Sequence, residues 1–114
     1  MIGDEVMFSA DTPAIAAEIA LALVDAYAGD AALPELRVGL ALGPVLSFEG
    51  DLFGPTVNLA SRLVNIARPG TVLISDELAV RLHDAPAFTL RSLRPLRLKG
   101  IGRAHVWVLR PAKT

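Results

Sequence analysis

Asn58 and Arg62 stand four positions apart in the run Asp51-Leu52-Phe53-Gly54-Pro55-Thr56-Val57-Asn58-Leu59-Ala60-Ser61-Arg62. If that stretch is helical, an amide and a guanidinium lie one turn apart on one face, just after an acidic loop. Such a face can hold a phosphorylated substrate. The same spacing also fits a solvated polar face, so the pair alone leaves both readings open.

The elements that would position the pair can be read from their ends. Pro55 suits a first helical position, because its φ is fixed and its missing N–H would be unpaired there anyway; Arg68-Pro69-Gly70 supplies a stop. A helix over residues 55 to 67 follows. At about 100° per residue, Val57, Leu59, Ala60, Leu63, Val64, Ile66 and Ala67 fill one half of its circumference. Asn58, Ser61, Arg62 and Asn65 share the opposite arc. One face packs and the other is offered.

Composition narrows what that face can serve. With 114 residues, 53% of them hydrophobic, the chain suits one domain with a substantial core. A net charge of -1 gives no electrostatic case for nucleic acid or for an anionic membrane surface. An aromatic content of 5% also leaves little for the stacking platforms of an RNA-binding sheet. Basic residues collect late, at Arg91, Arg94, Arg97, Lys99 and Arg103, and could form either a phosphate-facing strip or a solvated sheet edge. Cysteine is absent, which excludes disulfides and thiolate metal sites and fits a reducing cytoplasm. The opening Met-Ile-Gly-Asp has no basic stretch leading into an apolar one, so a signal peptide is not expected and the expected location is cytoplasmic.

Pro13 to Ala28 is nearly all Ala, Leu, Ile and Val, yet it is shorter than the roughly 20 apolar residues a bilayer needs. Glu18 and Asp25 share one face of it, so a packed amphipathic helix is predicted, capped by Asp11 or Thr12 and closed at Gly29. Residues 4 to 10 read as a strand. Glu35 to Leu42 and Val45 to Phe48 are β-rich runs, predicted to form a hairpin at Gly43-Pro44. Thr71-Val72-Leu73-Ile74 reads as a short buried strand, and Ser75-Asp76-Glu77 as the cap of a brief helix to about Leu82. Phe88 to Leu98, interrupted near Pro95, and Ala104 to Arg110 are predicted to complete the sheet, with Trp107 in the core and His83 and His105 as surface or strand residues. The expected class is α+β, a mostly antiparallel sheet with helices on one face.

Five ordered blocks now carry a resemblance. Gly3-Asp4-Glu5-Val6-Met7-Phe8, Arg37-Val38-Gly39-Leu40 with Gly43-Pro44-Val45, Asp51 to Arg62, Pro69 to Ser75, and Leu98-Lys99-Gly100-Ile101 resemble, in order and spacing, the catalytic domains of class III nucleotide cyclases. The resemblance covers nearly the whole of residues 1–114, as a single partial domain. It implies a ferredoxin-like core, a head-to-tail dimer with sites at its interface, and conversion of a nucleoside triphosphate to a 3',5'-cyclic monophosphate and pyrophosphate for intracellular signalling.

That chemistry needs attack of the ribose 3'-hydroxyl on the α-phosphorus, helped by two Mg2+ or Mn2+ ions and by donors for the charge that grows on the transferred group. By resemblance, Asp4 is one of the family's metal-binding aspartates. Asp51 matches the position that, in adenylate cyclases, accepts a hydrogen bond from the adenine amino group, so ATP is the expected substrate. Asn58 resembles the residue that orients the ribose, Arg62 the one that stabilises the α-phosphate in the transition state, and Lys99 a lysine that contacts the terminal phosphates. Phe53 takes an aromatic position often filled by Trp and is expected to pack beneath the loop.

The resemblance also predicts what lies upstream of Met1: the family's first strand and helices, the other metal-binding aspartate and a base-selecting lysine. Two readings are therefore expected to compete. One is an adenylate cyclase catalytic domain; the other is a catalytically deficient cyclase-like fragment that pairs with a complete cyclase domain and regulates it.

Overall fold

A proline and a hydroxyl set where the first helix begins. In the computed structural model, which describes residues 4–5, 12–33, 35–43, 46–48 and 51–112 (for 4–5, 46–48 and 51–53 the backbone only), helix α1 spans Pro13–Ala28. Thr12 Oγ1 accepts from the Ile15 N–H at 3.3 Å, and the Gly29 N–H closes the helix on the Asp25 carbonyl at 3.1 Å. Ala17 and Ala20 are its fully buried positions, and their size lets the helix lie close on the sheet.

The remaining elements are strands β1 (Asp4–Glu5), β2 (Leu36–Leu40), β3 (Leu46–Phe48) and β4 (Asp51–Phe53), helix α2 (Pro55–Ile66), β5 (Val72–Ser75), helix α3 (Asp76–Leu82), and β6 (Phe88–Ser92), β7 (Leu96–Leu98), β8 (Gly102–Ala104) and β9 (Val106–Pro111). The main sheet runs β1-β2-β5-β9-β6. Its first three strands are mutually parallel, and β9 is antiparallel to both β5 and β6. Two antiparallel ribbons, β3-β4 and β7-β8, stand apart from it. The α+β class is as expected. Residues 6–10 of the first strand, and Asp11, lie outside the described residues.

Two expected strand pairings are corrected. The hairpin does not join residues 35–42 to 45–48. β2 has β1 along one edge and β5 along the other, so no edge is left, and β3 pairs instead with β4, Phe48 opposite Asp51. Gly43-Pro44 signalled a break after β2, and nothing local could name the partner of the strand that follows. The acidic loop at Asp51 is accordingly the start of a strand. In the same way Leu96–Leu98 leaves the main sheet after Pro95 and makes its own ribbon with β8, rather than extending β6.

The helices, expected on one face, occupy both. Strand alternation sorts the core into two clusters. Val38, Leu40, Val72, Ile74 and Leu109 face α1 and α3, while Leu73, Val106 and Val108 face Leu63 and Ala67 of α2 and its end. Gly39 is what lets α2 sit down on the second face. A Cβ there would lie 2.7 Å from Val64 N and 2.8 Å from Leu63 Cβ, and would meet the Ala60 carbonyl. An apolar pattern records that a helix packs, not which side of a sheet it chooses.

Buried Ser75 ties the end of β5 to both neighbours. Its Oγ accepts from the Leu78 N–H at 3.3 Å, capping α3, and from the Leu42 N–H at 3.4 Å. At the same end Asp76 Oδ1 accepts from Trp107 Nε1 at 2.9 Å and lies 3.5 Å from His105 Nδ1; the other ring nitrogen of His105 is 2.6 Å from Ser92 Oγ. His105 is exposed, as expected; Trp107 packs against the α1 cluster, half-buried.

Candidate active site

Helix α2 is launched by a glycine and a proline. Gly54 has φ 119°, in the region that favours glycine, which turns the chain out of β4; Pro55 follows at the first helical position. The Asn58 N–H then donates to the Gly54 carbonyl at 3.0 Å. The register this sets puts Leu63, Val64 and Ala67 in the core and Asn58, Ser61 and Asn65 in solvent, with Arg62 half-buried between them. Ile66, expected on the packed side, is 43% exposed at the last position of the helix.

The second half of the site is the tip of the β7-β8 ribbon. Leu98 is 4% exposed and shares a cluster with Leu63, Leu73, Val106 and Val108, with Leu59 packed beside it. Pinning Leu98 there fixes its neighbour Lys99. Gly100, with φ 78°, and Gly102, with φ 99°, then make the turn, closed by the Ile101 N–H on the Leu98 carbonyl at 3.0 Å.

Between helix and ribbon lies an open cleft of about 340 Å³, lined by Asn58, Ser61, Arg62, Lys99, Gly100 and Ile101. Its size falls at the lower end of small-ligand sites. Of the residues singled out from sequence, the structure brings Asn58, Arg62 and Lys99 together here across some forty residues of chain. The cleft offers an amide and two cations to one anionic ligand, with a rigid guanidinium fork suited to phosphate oxygens. Asp51 begins β4, which leads into α2, and Asp4 begins β1 at the sheet edge beside Leu36; their carboxylates, and the ring of Phe53, lie outside the described residues.

Sequence reasoning gave no role to Ser61, which it placed on the polar arc, or to Ile101, which it placed only within a motif. It also passed over Arg37. The Arg37 Nε is buried with no hydrogen-bond partner among the described residues. By alternation with Val38 and Leu40, Arg37 lies on the α2 side of β2, opposite Glu5 of β1. An arginine inside the otherwise apolar strand Leu36–Leu40 was the available signal. Among the described residues no three Asp, Glu or His side chains converge on a metal position. His83 is the exposed residue that follows α3, as expected of a surface position. No described helix is long and apolar enough to cross a membrane.

Residues 2–111, which hold the half-parallel sheet, the polar-faced helix and the glycine-tipped ribbon, match the adenylate and guanylate cyclase catalytic domain family, a class of nucleotide cyclases. The chain belongs to that family. It is 53% identical over 89 residues to an adenylate cyclase of Streptomyces coelicolor, covering 75% of this chain and 23% of the relative. It is 42% identical over 101 residues to an adenylate cyclase of Glutamicibacter nicotianae, covering 89% of this chain and 25% of that one. The chain thus spans about a quarter of the length of these curated relatives. Among solved structures, an adenylate/guanylate cyclase/hydrolase from Silicibacter pomeroyi superposes with a TM-score of 0.78 at 28% identity, covering 90% of this chain and 64% of that one.

Proposed function

We propose that this chain forms part of an adenylate cyclase site, which converts ATP to 3',5'-cyclic AMP and pyrophosphate. What carries the reading is the convergence of Asn58, Arg62 and Lys99 on one cleft. In the reaction the ribose 3'-oxygen forms a bond to the α-phosphorus, the bond from that phosphorus to the β-phosphate bridging oxygen breaks, and the hydroxyl proton passes to solvent. Negative charge builds on the α-phosphate oxygens and the departing pyrophosphate. The Arg62 guanidinium stabilises the first and the Lys99 ammonium the second, both by charge-assisted hydrogen bonds that strengthen as the charge grows. Asn58, one turn before Arg62, holds the ribose so that its 3'-oxygen is in line. Asp51 accepts from the adenine amino group.

The divalent ions of the family, Mg2+ or Mn2+, lower the pKa of the attacking hydroxyl and neutralise the phosphates when bound. Asp4 is the ligand that the family resemblance expects from this chain. A head-to-tail dimer, of two copies or with another cyclase domain, would bring the remaining groups to the cleft.

The second reading is a fragment that lends Asn58, Arg62 and Lys99 to a complete cyclase domain. ATP turnover with Mn2+, compared between this chain and Arg62→Ala, tests the first. A cyclase domain lacking its own arginine but restored by this chain, and not by Arg62→Ala, would establish the second. Equal background rates in every combination would sink both.

A further inference from the structure

The charges of this chain are segregated. Every charged side chain from residue 1 to 36 is Asp or Glu, and every one from 86 to 114 is Lys or Arg. The fold gathers much of the basic half onto the α2 side of the sheet. Arg91 pairs with Val108, which faces α2, so Arg91 rises on that side; Arg110, opposite Thr89, does so by the same alternation. The β7-β8 ribbon covers part of the same face with Leu96, Leu98 and Ala104 turned inward.

On its outer side the ribbon carries a specific anomaly. Arg97 and Arg103 are directly opposite one another in the antiparallel register, and both are exposed. Cross-strand partners sit about 5 Å apart at Cβ, where like charges destabilise a ladder. Among the described residues neither arginine forms an ion pair with a carboxylate; the one ion pair there joins His105 to Asp76. Arg97 stands two residues, roughly 7 Å along an extended chain, before Lys99, which lines the cleft, and Arg103 is its partner across the ribbon. Two guanidinium forks carried at paired positions of one ribbon suit an anion with several oxygens.

We propose that Arg97 and Arg103 form a second anion subsite, next to Lys99, that takes the outer phosphates of the bound nucleotide and the pyrophosphate released from it. The proposal rests on the adenylate cyclase reading for the identity of its ligand. A phosphate chain lying between the two arginines offsets their mutual repulsion. Arg91 and Arg94 extend the same field outward and draw the anion in from solution.

The test is titration calorimetry of the full chain and of an R97Q/R103Q variant with pyrophosphate, ATP and AMP at low ionic strength, alongside thermal unfolding with and without pyrophosphate. The variant should bind pyrophosphate and ATP about tenfold more weakly or worse, as loss of charge-assisted hydrogen bonds predicts. AMP, which has no outer phosphates, should bind both proteins alike. Unliganded, the variant should unfold no earlier than the parent, because the opposed charges are gone, while its stabilisation by pyrophosphate should fall away. Unchanged pyrophosphate affinity in the variant overturns the subsite, and if ATP binding is still lost in Arg62→Ala the cyclase reading survives that failure. If the parent binds pyrophosphate through these arginines but shows no ATP binding, the subsite stands and the nucleotide reading falls. Binding of neither ligand by the parent overturns both.

Discussion

Replacing Gly39 by alanine should cost this protein both stability and its cleft. The added Cβ would stand 2.7 Å from Val64 N, which is 0.7 Å inside the 3.4 Å of ordinary contact, and it would meet the Ala60 carbonyl and Leu63 Cβ as well. The obstacles are mostly helix backbone, so no side-chain rotation relieves the clash. Either α2 retreats from β2 by most of an ångström or β2 buckles. Overpacking of this kind costs about 1–3 kcal/mol, which for a domain of this size lowers the unfolding midpoint by roughly 4–12 °C. The retreat also carries Asn58 and Arg62 away from Lys99, and misplacement by about 1 Å can cost on the order of a hundredfold in rate. Thermal unfolding and ATP binding should therefore fall together in Gly39→Ala. An unchanged midpoint would refute the close seating of α2 on β2, and a lowered midpoint with unchanged binding would refute the claim that this seating aligns the site.

Arg62→Ala should reduce cyclic AMP formation, measured with a partner domain if one is required, by about 100- to 1000-fold, the usual effect of removing a transition-state donor, with little change in the unfolding midpoint. Leu98→Ala should destabilise by about 2–5 kcal/mol as a buried leucine, and should weaken nucleotide binding because the ribbon tip carrying Lys99 loses its anchor; urea unfolding and calorimetry measure the two effects. Ser75→Ala removes the cap of α3 and the acceptor for the Leu42 N–H, a loss of about 1–2 kcal/mol that urea unfolding should register while ATP binding is unaffected.

How far the sequence speaks for itself follows from the range of the forces involved. Helix ends are local: Thr12, Pro13 and Gly29 bound α1, Pro55 starts α2, and Ser75 starts α3, each where its chemistry placed it. The polar arc of α2 was legible for the same reason, since 3.6-residue periodicity is written along one segment. Strand partnership is not local. β3 and β4 pair across two residues, while β2 finds β5 some thirty positions away, and only the alternation of Val72, Leu73 and Ile74 between two buried faces decides which helix covers which side. The opposition of Arg97 and Arg103 escaped for that reason too, because it exists only once β7 and β8 are in register. The burial of Arg37 Nε is a tertiary fact of the same kind.

The two faces of the sheet divide the labour unequally. α1 and α3 close one side over Val38, Ile74 and Leu109 and contribute no residue to the cleft. On the other side Leu63, Leu73, Leu98, Val106 and Val108 form a smaller cluster whose rim is the cleft itself, since Arg62 precedes Leu63 and Lys99 follows Leu98. A site residue and a core residue are thus chain neighbours on both the helix and the ribbon. Core packing on that side sets the distance between the two cations, so substitutions there should change phosphate affinity and stability together, whereas equal losses of stability made at Ala17 or Leu82 should leave phosphate affinity intact. A pair of variants matched for unfolding free energy, one from each cluster, separates this coupling from a general loosening of the fold. Equal loss of ligand binding in both would show that the cleft depends on overall rigidity and not on the cluster beneath it.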